Sequence, residues 1–131
     1  MKLNRVHHIA VICSDYQRSL DFYTRVLGLT VLAETYREER QSYKTNLGLG
    51  DNYIVELFSF PNPPARIMHP EATGLSHLAF EVDNIEESIH ELEAMAVAHE
   101  AIRVDPTTGM RLVFFHDPDG LPIELYEKRT V

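Results

Sequence analysis

Residues 5–23 read R-V-H-H-I-A-V-I-C-S-D-Y-Q-R-S-L-D-F-Y, and residues 74–92 read G-L-S-H-L-A-F-E-V-D-N-I-E-E-S-I-H-E-L. Laid over one another at an offset of 69 residues, they bring His8 onto His77, Ala10 onto Ala79 and Ser19 onto Ser88. Self-similarity at a fixed offset marks a repeated structural unit. The punctuation repeats too. Each stretch begins with an apolar run of strand character, 6–13 and 75–82. Each then shows capping-box spacing at a helix start, Ser14 with Gln17 and Asp83 with Glu86. Tyr16, Leu20, Tyr23 and Leu27 follow in one half, and Ile85, Ile89, Leu92 and Ala96 in the other. Such spacing sets each group on one helical face, and Gly28 is placed to end the first helix.

Working outward, three strands follow each helix: 30–37, 42–47 and 53–60 in the first half, and 99–104, 111–116 and 121–127 in the second. The last hairpins turn through Gly50-Asp51-Asn52 and Asp117-Pro118-Asp119-Gly120, both turn chemistry. Pro61, Pro63, Pro64 and Pro70 fall between the halves, where proline resists helix and central strand alike. The chain therefore reads as α+β: one domain, 1–131, of two β-α-β-β-β modules, 4–60 and 74–128, joined by a proline-rich linker, 61–73. Two such sheets side by side would curve around a shared cavity.

Composition excludes several classes. With 44% hydrophobic and 24% charged residues the chain has a globular balance rather than a disordered one. Its net charge of −8, without clustered Lys or Arg, argues against nucleic acid and against anionic lipid. One cysteine, Cys13, permits no intrachain disulfide and reads as a small buried hydrophobe. With no signal-like or membrane-spanning apolar run, a cytoplasmic protein is expected.

The repeat extends to chemistry. Glu56, in Tyr-Ile-Val-Glu-Leu-Phe, and Glu124, in Leu-Pro-Ile-Glu-Leu-Tyr, each lie mid-strand, 48 residues after His8 and 47 after His77. A carboxylate buried in a strand costs several kcal/mol unless paired, hydrogen-bonded or metal-bound. Alternation puts each Glu on the face opposite Val55 and Leu57, or Ile123 and Leu125. A lone strand His or Glu is usually a surface residue; matched pairs are harder to dismiss. His7 competes with His8, but it aligns with Ser76 rather than with His77. Two imidazoles and two carboxylates, His8, Glu56, His77 and Glu124, would suit nickel, cobalt, manganese, iron(II) or zinc. His69, His90, His99 and His116 have no partner at the equivalent position.

The phrases His8-Ile9-Ala10-Val11, Ser19-Leu20-Asp21-Phe22-Tyr23, Val26-Leu27-Gly28-Leu29, Val55-Glu56-Leu57, His77-Leu78-Ala79-Phe80-Glu81-Val82-Asp83 and Asp117-Pro118-Asp119-Gly120 with Ile123-Glu124-Leu125 resemble the vicinal oxygen chelate superfamily. They are most similar to its small bacterial glyoxalase I (lactoylglutathione lyase) branch. The resemblance implies paired modules and one divalent metal per site, nickel or cobalt favoured. It also implies a homodimer in which His8 and Glu56 of one chain meet His77 and Glu124 of the other. The implied reaction, as in methylglyoxal detoxification, turns a 2-oxoaldehyde–thiol hemithioacetal into a 2-hydroxyacyl thioester by proton transfer through an enediolate. Glu124 would be the general base and Glu56 a more structural ligand. Where the family carries Arg and Asn for glutathione, this chain has Ile12 and Phe60, so another thiol is expected. Lys44, Arg103 and Arg111 are candidates for an anionic substrate tail. A thioester epimerase would share the chemistry. Ring-cleaving dioxygenases and fosfomycin-modifying transferases use two His and one Glu, and a drug-sequestering binding protein would lack the ligand set.

Overall fold

The computed structural model describes residues 1–129. It divides into two units, one spanning Met1–Ala65 and the other beginning at Arg66. The first holds β1 (Ile9–Cys13), α1 (Tyr16–Asp21), β2 (Thr30–Arg37), β3 (Ser42–Leu49) and β4 (Asn52–Ser59). The second holds β5 (Leu78–Val82), α2 (Ile85–Ala94), β6 (Arg103–Val104), β7 (Arg111–His116) and β8 (Pro122–Glu127). Each unit carries one four-stranded mixed sheet, ordered β1-β4-β3-β2 and β5-β8-β7-β6. In each, the first pair is parallel and the others are antiparallel. Both units are thus β-α-β-β-β, the α+β architecture expected of the repeat.

The helices seat as their apolar residues require. α1 packs on β4, and α2 on β7 and β8. Val55, Leu57, Ile123 and Leu125 are buried. Each such fully buried aliphatic side chain stabilises by about 1.5–3 kcal/mol. The period-2 pleat then turns Glu56 and Glu124 to the other face. A π turn over Phe22–Val26 continues α1, and its extra residue lets the adjacent Phe22 and Tyr23 both be buried. Leu20 and Leu27, expected to share that buried face, are only half-buried. Gly28, at φ +73°, closes the helix in a conformation that costs glycine nothing.

Two expectations are corrected. The N-caps are Asp15 and Asn84, one residue beyond Ser14 and Asp83: their side chains accept from the backbone N–H groups of Arg18 and Glu87. Each is extended, and its side-chain oxygen reaches the third helical N–H. The strand expected over 99–104 shrinks to Arg103–Val104. His99 turns its ring to the Glu100 carbonyl and the Glu93 carboxylate instead. Between β4 and β5 there is no helix or strand. Among the described residues, no helix is long and apolar enough to cross a membrane.

Candidate metal centre

The sheet register places both carboxylates alike. Glu56 on β4 lies beside Ala10 of β1, and Glu124 on β8 beside Ala79 of β5. This gives the repeated alanine a purpose, because a methyl group leaves room over the neighbouring carboxylate. His8 and His77 immediately precede β1 and β5 rather than lying within them. Each lies two residues before the alanine that neighbours the glutamate, so period-2 alternation lets its ring reach the same face.

In the first unit His8 Nε2 stands 3.7 Å from Glu56 Oε1. The ring stacks on Tyr53, centroids 4.9 Å apart at 9°. Tyr53 donates its hydroxyl to Glu56 Oε2 at 2.9 Å, and Lys44 Nζ lies 3.6 Å from the same oxygen. Burial first, and then the Glu56 carboxylate, push the Tyr53 phenol up to about 12. In the second unit His77 Nε2 lies 2.8 Å from Glu124 Oε2. Glu124 is 7% exposed. Phe114, its cross-strand neighbour, meets the His77 ring edge-on at 5.2 Å.

The Nδ1 atoms match as well. His7 Nδ1 lies 2.8 Å from His8 Nδ1, and Ser76 Oγ lies 3.1 Å from His77 Nδ1. In each unit the preceding residue engages Nδ1 and Nε2 is directed at a glutamate. A ligand histidine ordinarily has this arrangement, one ring nitrogen held and the other presented beside a carboxylate. Each donor pair fits a divalent ion in its chemistry: one imidazole nitrogen and one carboxylate, that of the second unit buried. Each unit offers two donors of the types a divalent ion takes. Among the described residues, no group of three or more His, Cys, Asp and Glu side chains stands together as an ion site.

The other candidates separate. Lys44 is spent on Glu56 rather than left for an anionic tail. Arg111 is bound by two carboxylates, with Nη2 2.7 Å from Glu127 Oε2 and Nη1 and Nη2 on Glu86. Arg103 pairs with Glu100 and lies over the Phe114 ring, 5.1 Å from its centroid. It also lines a cavity of about 370 Å³ in the second unit, together with Arg66, Met68, His69, His77 and His116. His116, exposed before the β8 turn, is thus at a cavity wall, whereas His90 faces out from α2. Ile12 is exposed, and Phe60 stacks on Phe58 with Arg40 over its face. Cys13 is buried. The sequence reading missed Tyr53 and Ser76; a signal for Ser76 lay in its alignment with His7.

Known proteins resemble the chain over most of its length. The family model described as Glyoxalase/Bleomycin resistance protein/Dioxygenase superfamily matches residues 5–125. The chain is 55% identical over 128 residues to "Uncharacterized protein YwkD" of Bacillus subtilis strain 168, which spans 98% of this chain and 100% of that one. It is 30% identical over 127 residues to the lactoylglutathione lyase of Escherichia coli O157:H7, spanning 95% of this chain and 93% of that one. The crystal structure of a glyoxalase family protein from Enterococcus faecalis is similar at a TM-score of 0.89 and 45% identity, covering 97% and 100% of the two chains.

Proposed function

The chain belongs to the Glyoxalase/Bleomycin resistance protein/Dioxygenase superfamily, and from that premise we propose that it is a metal-dependent lyase of the glyoxalase I type. The carrying observation is the His/Glu pair that recurs at one register in both units, Nε2 toward carboxylate each time. His8, Glu56, His77 and Glu124 would hold one divalent ion, nickel or cobalt for preference. When bound, the ion supplies Lewis-acid polarisation of a substrate carbonyl. The substrate is a hemithioacetal of a 2-oxoaldehyde. Glu124 takes the proton from the carbon bearing the thiol sulphur and delivers it to the adjacent carbonyl carbon. The hydroxyl proton passes to the second oxygen, leaving a 2-hydroxyacyl thioester with no oxidant or reductant consumed. Glu56 is the poorer base, because Tyr53 and Lys44 already engage its Oε2.

Two features support a thiol other than glutathione. At the two positions where the family contacts glutathione, Ile12 exposes an aliphatic side chain and Phe60 is packed between Phe58 and Arg40. Neither offers the polar contacts glutathione needs. The two pairs meet, in this reading, in a C₂ homodimer with two equivalent sites, each shared between chains. Complementation tests it. A His8→Ala/Glu56→Ala chain is mixed with a His77→Ala/Glu124→Ala chain under conditions of subunit exchange. The heterodimer regains one complete ligand set, and with it metal and methylglyoxal-dependent thioester formation. Demonstrated exchange without recovered metal would reject the shared centre. Recovered metal without turnover of any methylglyoxal hemithioacetal would keep the centre and reject the lyase assignment, leaving a thioester epimerase as the next substrate class to assay.

A further inference from the structure

We propose that Ser76 is a positioning residue that serves either tautomer of His77, and that Arg66 holds Ser76 in place to do so. This rests on the reading of His77 as a metal ligand. His77 Nε2 lies 2.8 Å from the Glu124 carboxylate and Nδ1 lies 3.1 Å from Ser76 Oγ, so a ring with its proton on Nε2 donates to Glu124 and accepts from Ser76. To ligate through Nε2, the ring must carry its proton on Nδ1 instead. The partner of Nδ1 then has to change from donor to acceptor. A serine hydroxyl does so by rotating about one bond. A carbonyl or carboxylate, the more usual partner of a ligand histidine, can only accept.

The place of Ser76 needs explaining, because it lies outside any strand, in the irregular segment ahead of β5. Arg66 supplies the restraint. Its Nη2 donates to the carbonyls of Leu75 at 2.7 Å and Ser76 at 3.1 Å. One planar cation bridging two successive carbonyls fixes the peptide from which the Ser76 side chain departs. Arg66, Ser76 and His77 all line the same cavity, so the strap sits at the wall of the space into which the imidazole faces. The first unit repeats the principle independently. There His7 occupies the position equivalent to Ser76, 2.8 Å from the Nδ1 of His8, and an imidazole also donates or accepts.

The test uses full-length metal-free protein with ¹⁵N-labelled histidine, at about pH 8.5, above the ordinary imidazole range. Long-range ¹H–¹⁵N spectra report the His77 tautomer before and after addition of zinc. The unaltered protein should pass from the Nε2–H to the Nδ1–H form. Ser76→Ala should bind zinc about 10–100-fold more weakly and give a mixed tautomer when metal-free, with its thermal midpoint unchanged. Ser76→Thr, which keeps the hydroxyl, should behave as the unaltered protein. Arg66→Gln should lose a smaller part of the affinity, and Arg66→Lys should restore some of it. Ser76→Ala with unaltered tautomer and affinity would overturn the proposal, as would an equal loss in Ser76→Thr. If zinc leaves the His77 signals unmoved, the metal-centre reading itself fails and takes this proposal with it. If zinc moves them but the Ser76 variants do not differ, only the proposal fails.

Discussion

The two His/Glu pairs occupy the same places in the two sheets and live in different surroundings. Glu56 has three polar neighbours, with His8 at 3.7 Å, Tyr53 at 2.9 Å and Lys44 at 3.6 Å. Glu124 is buried against His77 at 2.8 Å, with the Phe114 ring edge-on to that imidazole. A carboxylate fixed by a hydroxyl and an ammonium is a stationary ligand, since its lone pairs and charge are already engaged. A carboxylate with one imidazole partner, in an apolar setting, has capacity left to accept and release a proton. The repeat keeps the His/Glu pairs while their neighbours differ, and the proposed division of labour between two chemically identical side chains rests on those neighbours.

The comparison breaks most visibly in turnover. At saturating metal, Glu124→Gln should lower kcat by about 10²–10⁴-fold, the usual contribution of a positioned acid–base group. Glu56→Gln should act chiefly on metal affinity. Steady-state rates across a metal titration separate the two, and a larger kcat loss for Glu56→Gln would reverse the assignment. A smaller effect sharpens the same contrast. Tyr53→Phe keeps the ring on His8 but removes the hydroxyl from Glu56, so metal should bind roughly 10-fold more weakly, as for other partners of ligand side chains. Phe114→Leu, which removes only an apolar wall, should change affinity far less. Calorimetric titration of both variants decides, and equal losses would mean that the polar surroundings of Glu56 are incidental.

The fold was legible because the repeat is written twice, so that each half checks the other. Glu56 and Glu124 stood out because a carboxylate amid Val-x-Leu and Ile-x-Leu has to be explained by its other face. The cap positions were read one residue early because Ser14-Asp15 and Asp83-Asn84 each offer two competent caps in succession. Capping-box spacing favoured Ser14, with Gln17, over Asp15, but did not separate Asp83 with Glu86 from Asn84 with Glu87; the backbone selects whichever is extended with its side chain under the third N–H. The π turn at Phe22–Val26 leaves no periodic trace, since it is a local response to burying two adjacent aromatics. Tyr53 was passed over because an aromatic in a strand reads as core, and only its hydroxyl's partner reveals otherwise. Lys44 and Arg111 were open as anion ligands until their carboxylate partners were located in space.

The same contrast of surroundings extends to how each helix is tied to its sheet, and there pH separates the halves. Tyr43 and Arg111 occupy equivalent strand positions, opposite Ser59 and next to Glu127 respectively, as the registers Lys44↔Phe58 and Leu112↔Tyr126 require. In the first unit Tyr43 stacks on Tyr16, at 4.1 Å and 1°, and Tyr16 donates its hydroxyl to Glu34. Burial, and then the Glu34 carboxylate, raise the Tyr16 phenol well above its ordinary 10.0. A raised value means that the neutral phenol is favoured by folding, so its contribution is complete below pH 10 and fades as pH climbs through the raised value. Tyr16→Phe should cost about 1–3 kcal/mol near neutrality, and the difference should narrow on the alkaline side. In the second unit the Arg111 guanidinium, ahead of a backbone hydrogen bond, holds the Glu86 carboxyl below its ordinary 4.5. The sign is opposite: the pairing contributes above pH 4.5 and is lost as pH falls through the depressed value. Glu86 is exposed, so Arg111→Met should lower the thermal midpoint by only a few degrees at neutral pH, the smallest of these effects. That gap should close in acid, while the Tyr16→Phe gap persists there. Thermal midpoints of the three proteins from acid to alkaline pH check this. Parallel curves for Arg111→Met and the unaltered protein below pH 4.5 would show that the guanidinium ties α2 to its sheet through packing rather than charge.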